Sequence, residues 1–153
     1  MLVPEDTLAL ARLADAPVIA ELSRTLIETG LPWSWFPRRV AASIRDPETN
    51  VLIARAGERI AGFGIMRCGA EAAHLDLFAV DRAWQGQGLG RRLLEWLERP
   101  ARVAELARIV LKAQTDNAGA RAFYERLGYR PLALLPGYYQ GREAVLRLER
   151  ALG

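Results

Sequence analysis

The sequence predicts an α+β fold, a mixed sheet of about seven strands flanked by about four helices. Three observations predict it. Short runs of apolar and aromatic residues alternate with stretches of helical period in the order β-α-α-β-β-β-α-β-α-β-β. One strand, His74–Val80, passes through a glycine loop into a helix bearing Leu89, Leu93, Leu94, Trp96 and Leu97 on an apolar face. The 153 residues, 51% hydrophobic and 25% charged, suffice for one domain, 1–153, with its own core.

Thr7–Leu13 reads as the first strand. Asp15 suits the N-cap of a helix over Ala16–Glu28, with Ile19, Leu22 and Leu26 on one face and Val18 and Ile27 beside them. Gly30 suits the position past its end. The connection LPWSWFPRR crowds two prolines and three aromatics into a short span. Pro37 opens a short helix through Arg45. Asn50–Ala56 and Arg59–Arg67 form a hairpin turning at Gly57, and Gly62 and Gly64 mark a bulge or close packing. Pro100 predicts a kink or restart in the helix after the glycine loop, which ends near Glu105. Arg108–Gln114 is a buried strand. Asn117 or Asp116 caps a helix with Ala120, Phe123, Tyr124 and Leu127 on one face, and Gly128 stops it. Arg130–Leu135 and Glu143–Leu148 are the last strands. No linker, repeat or low-complexity segment interrupts them.

Composition excludes several classes. No run is long enough to cross a membrane, and Glu5 and Asp6 stand where a leader would be basic and then apolar. The single cysteine, Cys68, excludes an internal disulfide, and with one histidine no metal cluster is expected. Cys68 reads as a small core residue at a strand end. A reducing cytoplasm fits. The net charge of +3, nearly all from arginine, suits phosphate but is too dispersed for nucleic acid. Neither a nucleic-acid nor a membrane partner is expected.

Gly86, Gly88 and Gly90 alternate through the loop Asp81–Gly90. They permit positive φ and close approach to main-chain N–H groups. The first helical turn leaves donors open and its dipole favours an anion. Gln85–Arg91 therefore fits a diphosphate cradle, with Arg91 and Arg92 adding charge. A tight turn with no ligand fits the glycines equally well. The spacing differs from the dinucleotide fingerprint G-x-G-x-x-G.

The stretch AVDRAWQGQGLGRRLL resembles the acetyl-CoA-binding motif of the GNAT N-acetyltransferase superfamily: Gln or Arg, two residues, Gly, one residue, Gly or Ala. Gln85, Gly88 and Gly90 match it. LKAQTDNAGARAFYERLGYR resembles that family's next segment. The resemblance covers most of the chain from Val51 onward and, more weakly, the N-terminal part. It is closest in look to the branch acting on protein N-termini of the ribosomal-protein alanine type.

The resemblance implies acetyl-CoA as co-substrate. It implies that strands four and five, 74–80 and 108–114, run parallel and then splay, with the pantetheine arm pairing with the backbone of Phe78, Ala79 and Val80. The pyrophosphate would meet Gln85, Gly86, Gln87, Gly88, Leu89, Gly90 and Arg91, and Asn117 would bond the arm. The connection between the first two helices borders the acceptor groove in such proteins. Trp33 and Trp35, with Arg38, would then form an acceptor lip, unless they plug the core. PGYYQGRE resembles a loop laid over the incoming peptide. Tyr138 and Tyr139 would bracket the acceptor, or would simply pack in an exposed turn. Members are often dimeric, but no homodimer interface is legible.

Amine acetylation needs a base, an oxyanion donor and a partner for the departing thiolate. Tyr124, seven residues after Asn117, matches the family's acid, and a phenol donates to a thiolate with little mismatch. Main-chain N–H groups near Phe78–Val80 would hold the oxyanion. Ribosomal-protein acetyltransferases place a glutamate five residues before the asparagine, and here that residue is Lys112. Other members place one six residues before the strand-ending valine, and here that residue is His74. His74 suits a base acting directly or through water, with Asp76 to orient it. It is otherwise a hydrogen-bonded histidine at a strand start, and solvent takes the proton. The acceptor is a protein N-terminus or a small amine. The alternative function is a catalytically idle coenzyme A-binding sensor or interaction module.

Overall fold

The computed structural model describes residues 7–29, 32–115, 117–135 and 145–153. Its elements are β1 (Leu8–Leu10), α1 (Ala16–Leu26), α2 (Pro37–Arg45), β2 (Thr49–Ala56), β3 (Arg59–Cys68), β4 (Ala72–Val80), α3 (Leu89–Val103), β5 (Arg108–Gln114), α4 (Ala118–Arg126), β6 (Arg130–Leu135) and β7 (Val145–Ala151). The order is the one expected. The seven strands form one mixed sheet in the order β1-β2-β3-β4-β5-β7-β6. β4 and β5 pair in parallel from Ala72↔Arg108 to Leu75↔Leu111, and their pairing stops there although both strands run on. The chain divides into two units, Met1–Arg67 with Asp76–Arg99, and Cys68–Leu75 with Pro100–Gly153.

In the first unit, apolar faces of α1, α2, β2 and β3 meet around Ile19, Val40, Ile53, Phe63 and Ile65, all fully buried. Burial of this kind is the main stabilising term. Trp35 belongs to the same cluster and Trp33 packs against it. On α1 the buried residues are Ala16, Ile19, Ala20 and Ser23, while Val18 is exposed. β1 is shorter than expected because Leu13–Asp15 coils into a 3₁₀ turn. Asp15 stands at the N-cap position of α1 but does not cap it. Its carboxylate instead accepts from Arg12 N–H at 2.8 Å and pairs with Arg55 at 2.7 Å. An arginine within reach offers a stronger, charge-assisted partner than a helix amide.

β3 carries Gly62 and Gly64 for want of space. A Cβ on Gly62 would lie 2.9 Å from Leu93 Cδ1, and one on Gly64 would meet Leu97 Cδ1. A register shift also falls opposite, between Ala54 and Arg55, so both expectations for this strand hold. Leu89, Leu93, Leu94 and Leu97 form the buried stripe of α3. Trp96 is not part of it. At about 100° per residue it falls roughly a quarter turn from the stripe's centre, and it lies exposed under the Arg99 guanidinium, 4.8 Å from it.

In the second unit, β5 pairs with β7 and β7 with β6, both antiparallel. Ile109, Leu111, Tyr129 and Leu148 are buried there. Pro100 does not break α3, which runs on to Val103. The proline forfeits a single N–H bond, while Ala104 N–H still reaches Pro100 O at 2.9 Å. Glu105, at φ 57°, then turns the chain. Cys68 is half-buried at the end of β3, not a core residue. Gly30, Asp116, Glu143, Tyr138 and Tyr139 lie outside the described residues.

Candidate active site

In the first unit the strand–loop–helix stretch takes the form its glycines suggest. Gly86 and Gly88 have φ of 77° and 82°, values that side chains resist. A Cβ at either would touch nothing within 4 Å, so backbone conformation and not crowding requires glycine. Gly90 lies inside the helix. Asp81 anchors the loop, its N–H reaching Ala61 O at 2.8 Å and its carboxylate accepting from Ala83 N–H at 3.0 Å. Gln85 faces inward, donating its side-chain amide to Val80 O at 2.9 Å. That bond ties the strand end to the loop and occupies one of the carbonyls expected to meet the cofactor.

Gly88 precedes the first helical residue and accepts from Arg92 N–H at 3.2 Å. With no side chain it cannot cap. The N–H groups of Leu89, Gly90 and Arg91 have no acceptor within the helix. Arg92 belongs to the same first turn, and its Nε and Nη2 are buried without hydrogen-bond partners among the described residues, as is Gln87 Oε1. Arg91 is exposed and pairs with Glu95 at 2.8 Å. Open amides, an unsatisfied guanidinium and room above the glycines are donors for an anion, and they fit a diphosphate.

β4 alternates cleanly. Ala73, Leu75, Leu77 and Ala79 are buried, while His74, Asp76, Phe78 and Val80 are half-buried on the other face. Asp76 is engaged by Arg67, through contacts of 3.2 and 3.3 Å. On the acceptor-side connection, Trp33 meets the Phe36 ring edge-on at 4.7 Å and lies under Arg24 at 5.2 Å, while Arg39 stacks on Trp35 at 3.8 Å. The buried carboxylate of Glu28 organises this connection. It accepts from Ser34 N–H at 2.8 Å, Ser34 Oγ at 2.6 Å, Trp35 N–H at 3.4 Å and Ser23 Oγ at 3.1 Å. The sequence treats Glu28 only as the last residue of a helix, because no local pattern announces a carboxylate that closes a six-residue loop.

In the second unit Asn117 caps α4, its side-chain oxygen accepting from Ala120 N–H at 3.1 Å. That leaves its amide donors for other use. Tyr124 is buried, edge-on to Phe123 at 5.3 Å and to Tyr129 at 5.8 Å. Burial pushes its phenol well above the ordinary 10, so it stays protonated and keeps an O–H to donate. Lys112 is exposed on β5. The described residues hold no cluster able to bind a metal ion and no helix long and apolar enough to cross a membrane.

The profile of the Acetyltransferase (GNAT) family matches residues 18–129. N-alpha-acetyltransferase RimI of Mycobacterium tuberculosis is 34% identical over 131 residues, covering 83% of this chain and 80% of that protein. The crystal structure of the ribosomal-protein-S18-alanine N-acetyltransferase from Escherichia coli superposes with a TM-score of 0.81 at 27% identity, over 96% of this chain and 94% of that one. A Salmonella typhimurium structure solved with its cofactor acetyl-CoA shares the fold, with a TM-score of 0.78 at 22% identity over 96% and 94% of the two chains. The chain belongs to the GNAT acetyltransferase family.

Proposed function

We propose that this protein is an acetyl-CoA-dependent N-acetyltransferase whose acceptor is a primary amine, either the N-terminus of a protein or peptide or a small amine. The observation that carries the reading is the start of α3, whose first turn holds main-chain donors without helical acceptors and an arginine, Arg92, with Nε and Nη2 unpartnered among the described residues. Relatives named as N-terminal acetyltransferases favour the peptide.

Acetyl-CoA supplies an activated acyl carbon and a thiolate leaving group. In this reading Gln87, Gly88, Leu89, Gly90 and Arg91 hold its pyrophosphate, with Gln85 and Gly86 shaping the loop. Main-chain groups of Phe78, Ala79 and Val80 engage the arm and the oxyanion, and Asn117 adds its free amide. His74 takes the amine's proton, directly or through water. Tyr124, kept protonated by burial, donates to the departing sulfur. Trp33 and the described part of the acceptor-side connection, braced by Glu28 and by Trp35 plugged into the core, receive the acceptor, together with Tyr138 and Tyr139.

A second reading, an idle coenzyme A-binding module, draws on Lys112 at the position where relatives of the ribosomal-protein type carry glutamate. Free thiol released on mixing the protein with acetyl-CoA and a panel of peptides and amines is the expected result. Heat of coenzyme A binding without thiol release from any acceptor leaves only the idle module. Absence of both removes the two readings together.

A further inference from the structure

Between Glu28 and Asp46 the chain carries no carboxylate and three arginines, Arg38, Arg39 and Arg45. The net charge of the whole chain is +3, so charges elsewhere cancel and this stretch holds the excess. Glu28, at its edge, is buried and engaged by four donors. Arg38 and Arg39 stand in the first turn of α2. A helix start is the positive end of its dipole and favours acids, so two cations there cost stability. Both are exposed, and neither guanidinium has an ion pair or hydrogen bond with a described residue. Local stability does not explain them.

What these arginines touch is aromatic. Arg38 lies over Phe36 at 5.4 Å and Arg39 over Trp35 at 3.8 Å, while Arg24 of α1 lies over Trp33 at 5.2 Å. Trp33 and Phe36 are in edge contact at 4.7 Å, so Arg24 and Arg38 share one aromatic pair. Arg24 has only a long, exposed contact with Glu21, at 4.0 Å. A guanidinium seated on a ring uses its face, and the N–H donors around its edge stay open. Trp33 Nε1, which can only donate, is also without an acceptor among the described residues. The rings fix the cations, and Glu28 fixes the backbone of Ser34 and Trp35, so the platform is ordered before a ligand arrives. Each ring already carries a guanidinium, which leaves little for base stacking, the usual hold on a single nucleic-acid strand. A carboxylate instead matches an arginine fork in two hydrogen bonds.

We infer that Arg24, Arg38 and Arg39, seated on Trp33, Phe36 and Trp35, read carboxylates that follow the acceptor's N-terminus, so that the preferred acceptor is an acidic peptide. The inference rests on the acetyltransferase reading above, with this connection on the acceptor side, and names the acceptor class for it.

The test uses peptides of equal length with a free N-terminal alanine, identical except that positions two to four are Asp and Glu, their amides, or lysine. The wild-type protein should use the acidic peptide roughly tenfold better than the amide in kcat/KM, with the lysine peptide poorest. The gap should narrow as salt rises. Arg38→Gln with Arg39→Gln should bring acid and amide within about twofold, Arg38→Lys with Arg39→Lys should keep part of the preference, and KM for acetyl-CoA should not move. Arg39 also covers Trp35, so thermal melts check the double variants, and Arg38→Gln alone repeats the test with a smaller loss of preference. Equal use of acid and amide by the wild type overturns the inference and leaves acetyl transfer intact. A preference that survives in the folded double glutamine variant also overturns it. So does a change confined to acetyl-CoA affinity, since the arginines then hold a coenzyme phosphate. Stronger binding of an RNA oligonucleotide than of the acidic peptide assigns the surface to nucleic acid and overturns it too. Should no peptide be acetylated, calorimetry with the same peptides decides. Selective binding of the acid, lost in the double glutamine variant, keeps the surface and discards the transferase, and unselective binding or none discards the inference.

Discussion

Two helix starts in this protein treat the same problem in opposite ways. Every helix begins with N–H groups that lack internal acceptors. At α4, Asn117 supplies an oxygen and satisfies Ala120 N–H at 3.1 Å. At α3 the corresponding residue is Gly88, which has no side chain, and the donors stay open in the same turn as Arg92, whose Nε and Nη2 have no partner among the described residues. One start is finished by the chain itself, and the other keeps its donors open for the pyrophosphate that the proposed function puts there. A third start, at α1, shows that residue type alone does not decide the matter: Asp15 is a good cap by composition, yet it turns to Arg55. The lesson is that an open helix start must be identified by what its neighbours leave undone.

The comparison can be broken most sharply at α4. If that helix contributes chemistry and not phosphate binding, Tyr124→Phe should lower turnover by about a hundredfold or more while coenzyme A affinity by calorimetry stays near wild type. Equal loss of both would merge the two roles. The next effect falls on α3. Gly88→Val forces a branched residue to a φ of 82°, at a strain of about 1–2 kcal/mol, and should weaken coenzyme A at least about tenfold with a smaller change in melting temperature.

Asn117→Ala removes a satisfied cap and should cost about 1 kcal/mol in denaturant unfolding. Its effect on coenzyme A should stay well below that of Gly88→Val, and an equal effect would mean that α4 also holds the ligand's charge. Smallest is Asp15→Asn, under about 1 kcal/mol because Arg55 is partly exposed. Burial raises the Asp15 pKa, but Arg12 N–H and Arg55 more than offset it, so the folded value lies below 3.8. A lowered carboxyl pKa gives stability that is present above pH 3.8 and lost as pH falls through the folded value. The gap between wild type and Asp15→Asn should therefore shrink in acid unfolding below that point, with coenzyme A binding at neutral pH unchanged.

The order of elements was legible because each carries its own period and its own punctuation. Pro37 opens α2, Gly57 turns the hairpin and Gly128, at φ 94°, ends α4. The glycine loop was legible for the same reason, since Gly86 and Gly88 report a backbone requirement that is local. What escaped the sequence depends on partners distant along the chain. Trp96 counts as apolar yet faces out, and Glu28 counts as surface yet is buried by four donors. Gln85 matches a ligand-binding motif, but its side chain spends its amide on Val80 O.

Gly62 and Gly64 carry a last consequence. Leucines of α3 occupy the space that side chains on β3 would fill. An added methyl group there would cost about 1–3 kcal/mol in overpacking and would press on the helix whose opening turn is proposed to hold the pyrophosphate. On that proposal coenzyme affinity is hostage to two positions that lie beneath the helix. Alanine at either is expected to produce an enzyme that works when cool and fails when warmed, an inherited fault in the floor instead of the doorway.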